Sequence, residues 1–124
     1  MESSSREHNP LLDEASDLIC RANYCVALTG AGISPSSGIP DFRSPGSGVW
    51  TRYSPMEVAS LSAFRLHPDR FYHWLRPFAK KIYSAQPNPA HQSLAQLEKS
   101  GLLKSIITQN IDTLHQKAGS GKVI

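Results

Sequence analysis

Two short runs of the chain concentrate the residue types that hold phosphates, sugars and amides. The first is Gly30-Ala31-Gly32-Ile33-Ser34-Pro35, continuing to Gly38-Ile39-Pro40-Asp41-Phe42-Arg43. Glycines at 30 and 32 permit a tight turn and let backbone amides come close to a diphosphate. Ser34 followed by Pro35 has the form of a helix N-cap and first turn, whose free amides would face an anion. Asp41, Phe42 and Arg43 then set an acid, an aromatic plate and a guanidinium side by side. Packing by Pro40 and Phe42, with a local Asp41–Arg43 ion pair, would explain the same residues, though not why they directly follow a phosphate-type loop. The second run is Thr108-Gln109-Asn110-Ile111-Asp112-Thr113-Leu114-His115. Gln109 and Asn110 carry amides able to bond a ribose or a carboxamide, and Asp112 can accept from an amide nitrogen. Asn110 and Asp112 could equally serve only to cap a helix that begins there.

The elements around these runs must bring them together. Asn9-Pro10 reads as an N-cap and first turn, and Leu11, Leu12, Ala15, Leu18, Ile19 and Ala22 follow at helical spacing. Asp13 and Glu14 suit the positive end of that helix. Tyr24 to Thr29 is apolar on both alternate sets and stops at glycine, as expected of a strand buried on both faces. Ser54-Pro55-Met56-Glu57 reads as a capping box that opens a helix. His67-Pro68 interrupts the pattern, after which Phe71, Tyr72, Leu75, Phe78, Ala79 and Ile82 resume it, with Pro77 expected to kink or break the helix. These aromatics, with Trp74, read as a core stripe rather than a ligand box. Asn88 caps a further helix whose Leu94, Ala95 and Leu97 face inward until Gly101. Leu102 to Thr108 is a second strand, and a last helix runs from about Asp112 to Lys117. The alternation predicts an α/β fold with a parallel sheet, in which ligands lie at the carboxyl ends of strands. Both polar runs sit there, so they form one candidate site.

Composition sets the remaining bounds. The chain has 124 residues, 40% of them apolar and 19% charged, which suits one packed domain. Thirteen basic and ten acidic residues are scattered, with Lys80-Lys81 the only adjacent basic pair, so no nucleic-acid stripe is expected. No apolar run is long enough to span a membrane. Residues 1–8 read as a disordered tail with no secretory character. Cys20 and Cys25 lack zinc-knuckle spacing, so two buried thiols in a reducing cytoplasm are expected and no metal site is assigned. A conventional NAD dehydrogenase is disfavoured. Pro35 stands where a third glycine would be needed, and no acid follows at the distance that holds a ribose.

Taken together, Gly30 to Ser34, Gly38 to Arg43, Pro87-Asn88-Pro89-Ala90-His91 and Thr108 to His115 resemble the sirtuins, the NAD-dependent protein deacylases, in order and spacing from about residue 11 onward. The resemblance implies a Rossmann-like parallel sheet with helices on both faces. It also implies transfer of an acetyl group from a protein lysine to ADP-ribose, with release of nicotinamide. By position, Gly30, Ala31, Gly32, Ile33, Ser34, Pro35 and Asp41 would line NAD, Phe42 would shield the reactive ribose face, and Arg43 would sit near the diphosphate. Gln109 and Asn110 would contact the nicotinamide ribose, and Ile111 with Asp112 the carboxamide; Asn110 and Asp112 are the catalytic candidates. His91 reads as a structural hydrogen-bonding residue.

The family's Leu-His-Gly segment with its catalytic histidine, and its two zinc-holding cysteine pairs, have no counterpart in these 124 residues. Residues 9–124 are therefore expected to be the N-terminal part of a sirtuin catalytic domain, with part of the helical insertion but no zinc module. Such a piece would be inactive alone, and zinc is expected only in a full-length protein. A non-catalytic NAD or ADP-ribose binding module is the alternative. Sirtuins that prefer acidic acyl chains carry a tyrosine and, three positions on, an arginine. Here Leu75 stands three after Tyr72, and Arg76 lies about 100° further round a helix, so an acetyl or other uncharged group is expected.

Overall fold

The computed structural model describes residues 9–124; the expected tail, residues 1–8, lies outside the described residues. Helix α1 (Pro10–Arg21) opens as its sequence predicts. The Asn9 side chain accepts from the Leu11 amide at 3.1 Å and Pro10 takes the first turn. Its apolar residues Leu11, Leu12 and Leu18 nevertheless stay exposed. Strand β1 (Cys25–Thr29) follows and pairs in parallel with β2 (Leu103–Thr108). The register aligns Thr29 with Thr108, so both strands end at one level and deliver their following loops side by side. That alignment is what joins the two polar runs into one site.

The expectation that β1 is buried on both faces needs correction. Val26 and Leu28 are exposed, while Cys25, Ala27 and Thr29 on the other face are half-buried. The sheet also extends further than two strands. Ile106 donates to Lys122 O, Ile124 donates to Ile106 O, and Thr108 donates to Ile124 O, so residues 122–124 lie along β2 as a short third segment joined by a parallel bridge at Ile106 and Val123. β2 is thus the central strand, and its Leu103, Ser105 and Ile106 are buried accordingly.

Between the strands lie α2 (Pro55–Val58), α3 (Leu61–Leu66), α4 (Pro68–Ser84) and α5 (Pro89–Lys99). The capping box at Ser54 does not form, since its side chain makes no cap bond and α2 is a single turn. Ser60 caps α3 instead, accepting from the Ala63 amide at 3.0 Å. Pro77 lies inside α4 without ending it. The missing N–H costs one bond, but the helix continues through to Ser84 and packs Phe71, Trp74 and Phe78 in an aromatic row. Helix α6 (Leu114–Lys117) closes the described elements, and Gly119 at φ 102° turns the chain after it. Cys20 is exposed and Cys25 half-buried, both free, so the expectation of two buried thiols fails for Cys20.

The deepest positions among the described residues are as often polar as apolar. Val49, Ala85, Leu103, Ile106 and Leu114 are buried, but so are Ser34, Asn88, His91, Ser105, Asp112, His115 and Ser120. Buried polar side chains are costly unless bonded, so such a concentration marks an organised polar centre. Most of it lies under the two loops.

Candidate functional site

The first loop leaves β1 at Gly30 and forms two single 3-10 turns, Ala31–Ile33 and Pro35–Ser37. Ser34 does not cap a helix there. Its hydroxyl is buried and donates to Asp112 Oδ2 at 2.7 Å, across the sheet end. The helix expected at Ser34-Pro35 is therefore only the single 3-10 turn Pro35–Ser37, at whose start the Ser34 side chain bonds the second loop instead of capping. Gly38, at φ 85°, ends the second turn in the left-handed region that glycine tolerates.

The second loop is held by the first through two further bonds. Asn110 Nδ2 donates to Gly30 O at 2.9 Å, and Gln109 N donates to Thr29 O at 3.0 Å. Asp112 is 6% exposed and has both oxygens engaged: Oδ2 by Ser34, and Oδ1 by the Leu114 amide at 3.0 Å. Asp112 thus caps α6 and anchors the first loop at once, so the two readings of this residue are compatible. The cap has an unusual hinge. Thr113 sits at φ 59°, a left-handed conformation that a β-branched residue rarely adopts and that costs about 1–3 kcal/mol. No residue type in the sequence signals that turn.

Above these bonds lies a cavity of about 270 Å³, lined on one side by Ala31, Ser34, Gln109, Asn110, Ile111 and Asp112. Ile39, Pro40, Phe42, Trp74, Leu75, Phe78 and Ile82 form the other, apolar wall. Trp74, Leu75, Phe78 and Ile82 of the α4 stripe therefore face the cavity and are half-buried, while Phe71 lies outside it and Tyr72 is exposed. Sequence periodicity locates such a stripe but says nothing about what lies against it. Phe42 also stacks on Trp50 at 5.2 Å between ring centres, and Trp50 on Trp74 at 6.0 Å.

The remaining predicted residues are placed differently. Asp41 and Pro35 line a second hollow of about 410 Å³, beside Arg52 and Lys81. Asp41 accepts from the Ser44 hydroxyl and amide, and the Asp41–Arg43 ion pair does not form. Arg43 is exposed and lines neither hollow. Ile33 turns its carbonyl to Asn88 Nδ2 at 2.7 Å, a structural role. Gly48, one of the loop's later glycines, is required sterically: a Cβ there would lie 2.7 Å from Ser44 N and 2.8 Å from Phe42 O. Gly32 has no such neighbour, and a Cβ at Gly30 would meet only Gln109 Oε1 at 3.9 Å. These two glycines are not demanded by the chain's own packing; neither lines the cavity, although Ala31 between them does.

Beneath the site, two histidines are almost wholly buried with ring centres 5.0 Å apart. His91 accepts the Asn88 amide at Nδ1 and completes a capping box on α5, as its structural reading anticipates. Burial holds the pKa of His91 below its ordinary value, against the opposing Asp112 carboxylate. His115 is lowered first by burial and then by its neighbour His91, again against Asp112. Among the described residues no group of three or more His, Cys, Asp or Glu side chains converges as a metal site would require, and no helix is long and apolar enough to cross a membrane.

Comparison with known proteins agrees with this geometry. The pattern of the Sir2 family matches residues 30–124. An NAD-dependent protein deacetylase of Sulfurisphaera tokodaii is 51% identical over 112 residues, which cover 90% of this chain and 44% of that protein. A solved Sir2 homologue in complex with NAD superposes with a TM-score of 0.79 at 47% identity, covering 90% of this chain and 43% of that one. A Sir2 histidine-to-alanine variant with deacetylated p53 peptide and 3'-O-acetyl ADP ribose superposes at 0.86, also 47% identical, covering 91% and 45%. The chain thus spans less than half the length of the relatives it matches.

Proposed function

The chain belongs to the Sir2 family, and on that footing we propose that it forms the NAD-facing part of an NAD-dependent protein-lysine deacetylase. The observation that carries the reading is the junction of the two loops. Ser34 meets Asp112, and Asn110 meets Gly30, at the carboxyl ends of parallel strands, under a mainly apolar cavity.

NAD fits what this chain offers. The bare backbone at Gly30 and Gly32 permits close approach of a diphosphate, as a Cβ would not. A cavity of about 270 Å³ lies just below the ~300 Å³ of small-molecule pockets, so it suits one end of a dinucleotide rather than the whole. When bound, NAD would supply a ribose carbon that the acyl-lysine amide oxygen can attack as nicotinamide leaves, and the ribose hydroxyl that receives the acyl group. The protein's part is to position and to exclude water. Asp112, already fixed at both oxygens, retains lone pairs to accept from a carboxamide N–H. Asn110, whose Nδ2 is held by Gly30 O, presents its Oδ1 to a ribose hydroxyl. Phe42 covers the cavity mouth, and Trp74, Phe78, Ile39 and Ile82 keep its far wall dry, which strengthens every polar contact inside. Gln109 and Ile111 complete the ribose and carboxamide contacts; Arg43 is proposed for the diphosphate on the family resemblance alone, since it lines neither hollow.

The acyl-lysine of a protein substrate enters beside this wall. Leu75 lines it while Tyr72 and Arg76 are exposed, which suits an uncharged acetyl group. No metal donor set is found among the described residues, and zinc is proposed only for a full-length enzyme of the family. A reducing, cytoplasmic setting suits the two free thiols. Titrating the ¹⁵N-labelled chain with NAD tests the reading. Amide shifts are expected at Ala31, Ser34, Asn110, Ile111 and Asp112, with a Kd on the order of 1 mM, about −4 kcal/mol. They should be lost in Asp112→Asn. No shift in the wild-type chain, or unchanged shifts in the variant, would overturn the proposal.

A further inference from the structure

Below the cavity the polar side chains form an ordered line of donors and acceptors whose polarity can be worked out atom by atom. The Thr29 hydroxyl donates to Thr108 Oγ1 at 2.9 Å. Its proton is thereby committed, so His115 Nε2, 2.8 Å from Thr29 Oγ1, must carry a proton and donate it. Thr108 Oγ1 accepts a second bond from the Asn110 amide at 3.1 Å. The line therefore runs from the His115 ring through Thr29 and Thr108 to the Asn110 backbone. It passes across the paired ends of β1 and β2.

The neighbouring ring has a tautomer fixed by its own bond. His91 Nδ1 accepts from the Asn88 amide, which leaves its proton on Nε2. His91 Nε2 and His115 Nδ1 are both buried without a partner. Under these tautomers one is a donor and the other an acceptor, and no bond joins them. The opposite tautomer of His115 would leave Thr29 facing a protonless-nitrogen acceptor with its own proton already given to Thr108. Burial lowers the pKa of both rings, which keeps them neutral and the tautomers defined.

We propose that His115 and Thr29 are positioning residues that fix Asn110 through Thr108, and so set the loop that faces the cavity. Neither side chain lines the cavity itself. The hydroxyl line reaches the site at the Asn110 amide, and the side chain of Asn110 holds Gly30 O at 2.9 Å. The inference rests on the reading of that loop as the NAD side of the site, but its geometry can be tested without any ligand.

The test is ring ¹⁵N NMR of His115 in the free chain, together with hydrogen exchange at the Asn110 amide in Thr29→Val and Thr29→Ser. A His115 ring protonated at Nε2 is expected. Thr29→Val, which keeps the shape and removes the hydroxyl, should speed Asn110 exchange about fivefold to tenfold, as loss of one hydrogen bond implies. The Ile106 amide in the central ladder should not respond, and Thr29→Ser should restore the Asn110 rate. With NAD added, the Thr29→Val chain should show a weaker shift at Asn110 than the serine variant. A His115 ring protonated at Nδ1 in the wild-type chain overturns the proposal even if the variants do not fold. So does Asn110 exchange that is unmoved in Thr29→Val. Wild-type failure to bind NAD, with the exchange effects intact, would instead count against the proposed function alone.

Discussion

Ser34 and Asp112 share a buried bond of 2.7 Å that does two tasks, fastening the first loop and orienting the carboxylate. Ser34→Ala leaves Asp112 Oδ2 in a buried site without its donor, so a loss of about 1–3 kcal/mol is expected in urea unfolding. An exposed serine such as Ser36 should tolerate alanine with little change. The buried imidazoles give a second prediction. Their folded pKa values lie below the ordinary value of 6.5, so between the folded and unfolded values the unfolded chain binds more protons. Their contribution to stability is present above pH 6.5 and is lost as pH falls toward the folded values. Tm measured against pH should therefore decline below about 6.5, and His115→Gln should flatten that decline; a slope unchanged in the variant would contradict the assignment. The groups that face these rings are each other and Asp112. At this scale the sequence was legible where a residue acts through its own chemistry, as with Asp112 and Asn110. It was not legible at Asp41 and Arg43, whose partners depend on how residues 41–50 fold back, nor at Thr113, a residue type that gives no hint of a left-handed turn.

The helix starts differ in how much depends on them. Asn9 makes one exposed cap bond, whereas Asn88 accepts from the Ala90 and His91 amides and donates to Ile33 O and Ser37 Oγ. Asn88→Ala thus removes a cap and a clamp on the first loop together. It should cost about 2 kcal/mol or more in chemical denaturation, against about 1 kcal/mol for Asn9→Ala. Equal losses would show that the loop clamp contributes nothing. Both asparagine caps could be read from the sequence because Asn-Pro is a local signal. The Ser54 box was as clear in sequence, yet its helix is one turn long and the cap bond is not made. Capping is a bonus on a helix that packing must first support. Likewise, the helical spacing of α4 predicted an apolar stripe but could not tell core from cavity wall. Residues 122–124 gave no strand signal of their own, because three residues are too few for any periodicity; only their bonds to β2 reveal them.

Across the whole molecule the polar centre is well covered while one flank is not. Val26 and Leu28 of β1, with Leu11, Leu12 and Leu18 of α1, expose apolar surface next to a strand edge. Unpaired edges with apolar faces promote association. These 124 residues should show concentration-dependent self-association in sedimentation velocity, reduced by Val26→Lys with Leu28→Lys; a monomer at all concentrations would contradict this. The same picture explains why NAD binding by this chain is expected to be weak, since its cavity takes one end of the cofactor only. The central claim, that the space between the two loops receives the nicotinamide end of NAD, is tested most directly with isoleucine-methyl-labelled chain and saturating NAD. The account predicts NOEs from nicotinamide ring protons to the methyls of Ile39, Ile82 and Ile111, which line the cavity, and none to Ile19 or Ile106. NOEs from the adenine protons to those three methyls, or none from either ring, would contradict it.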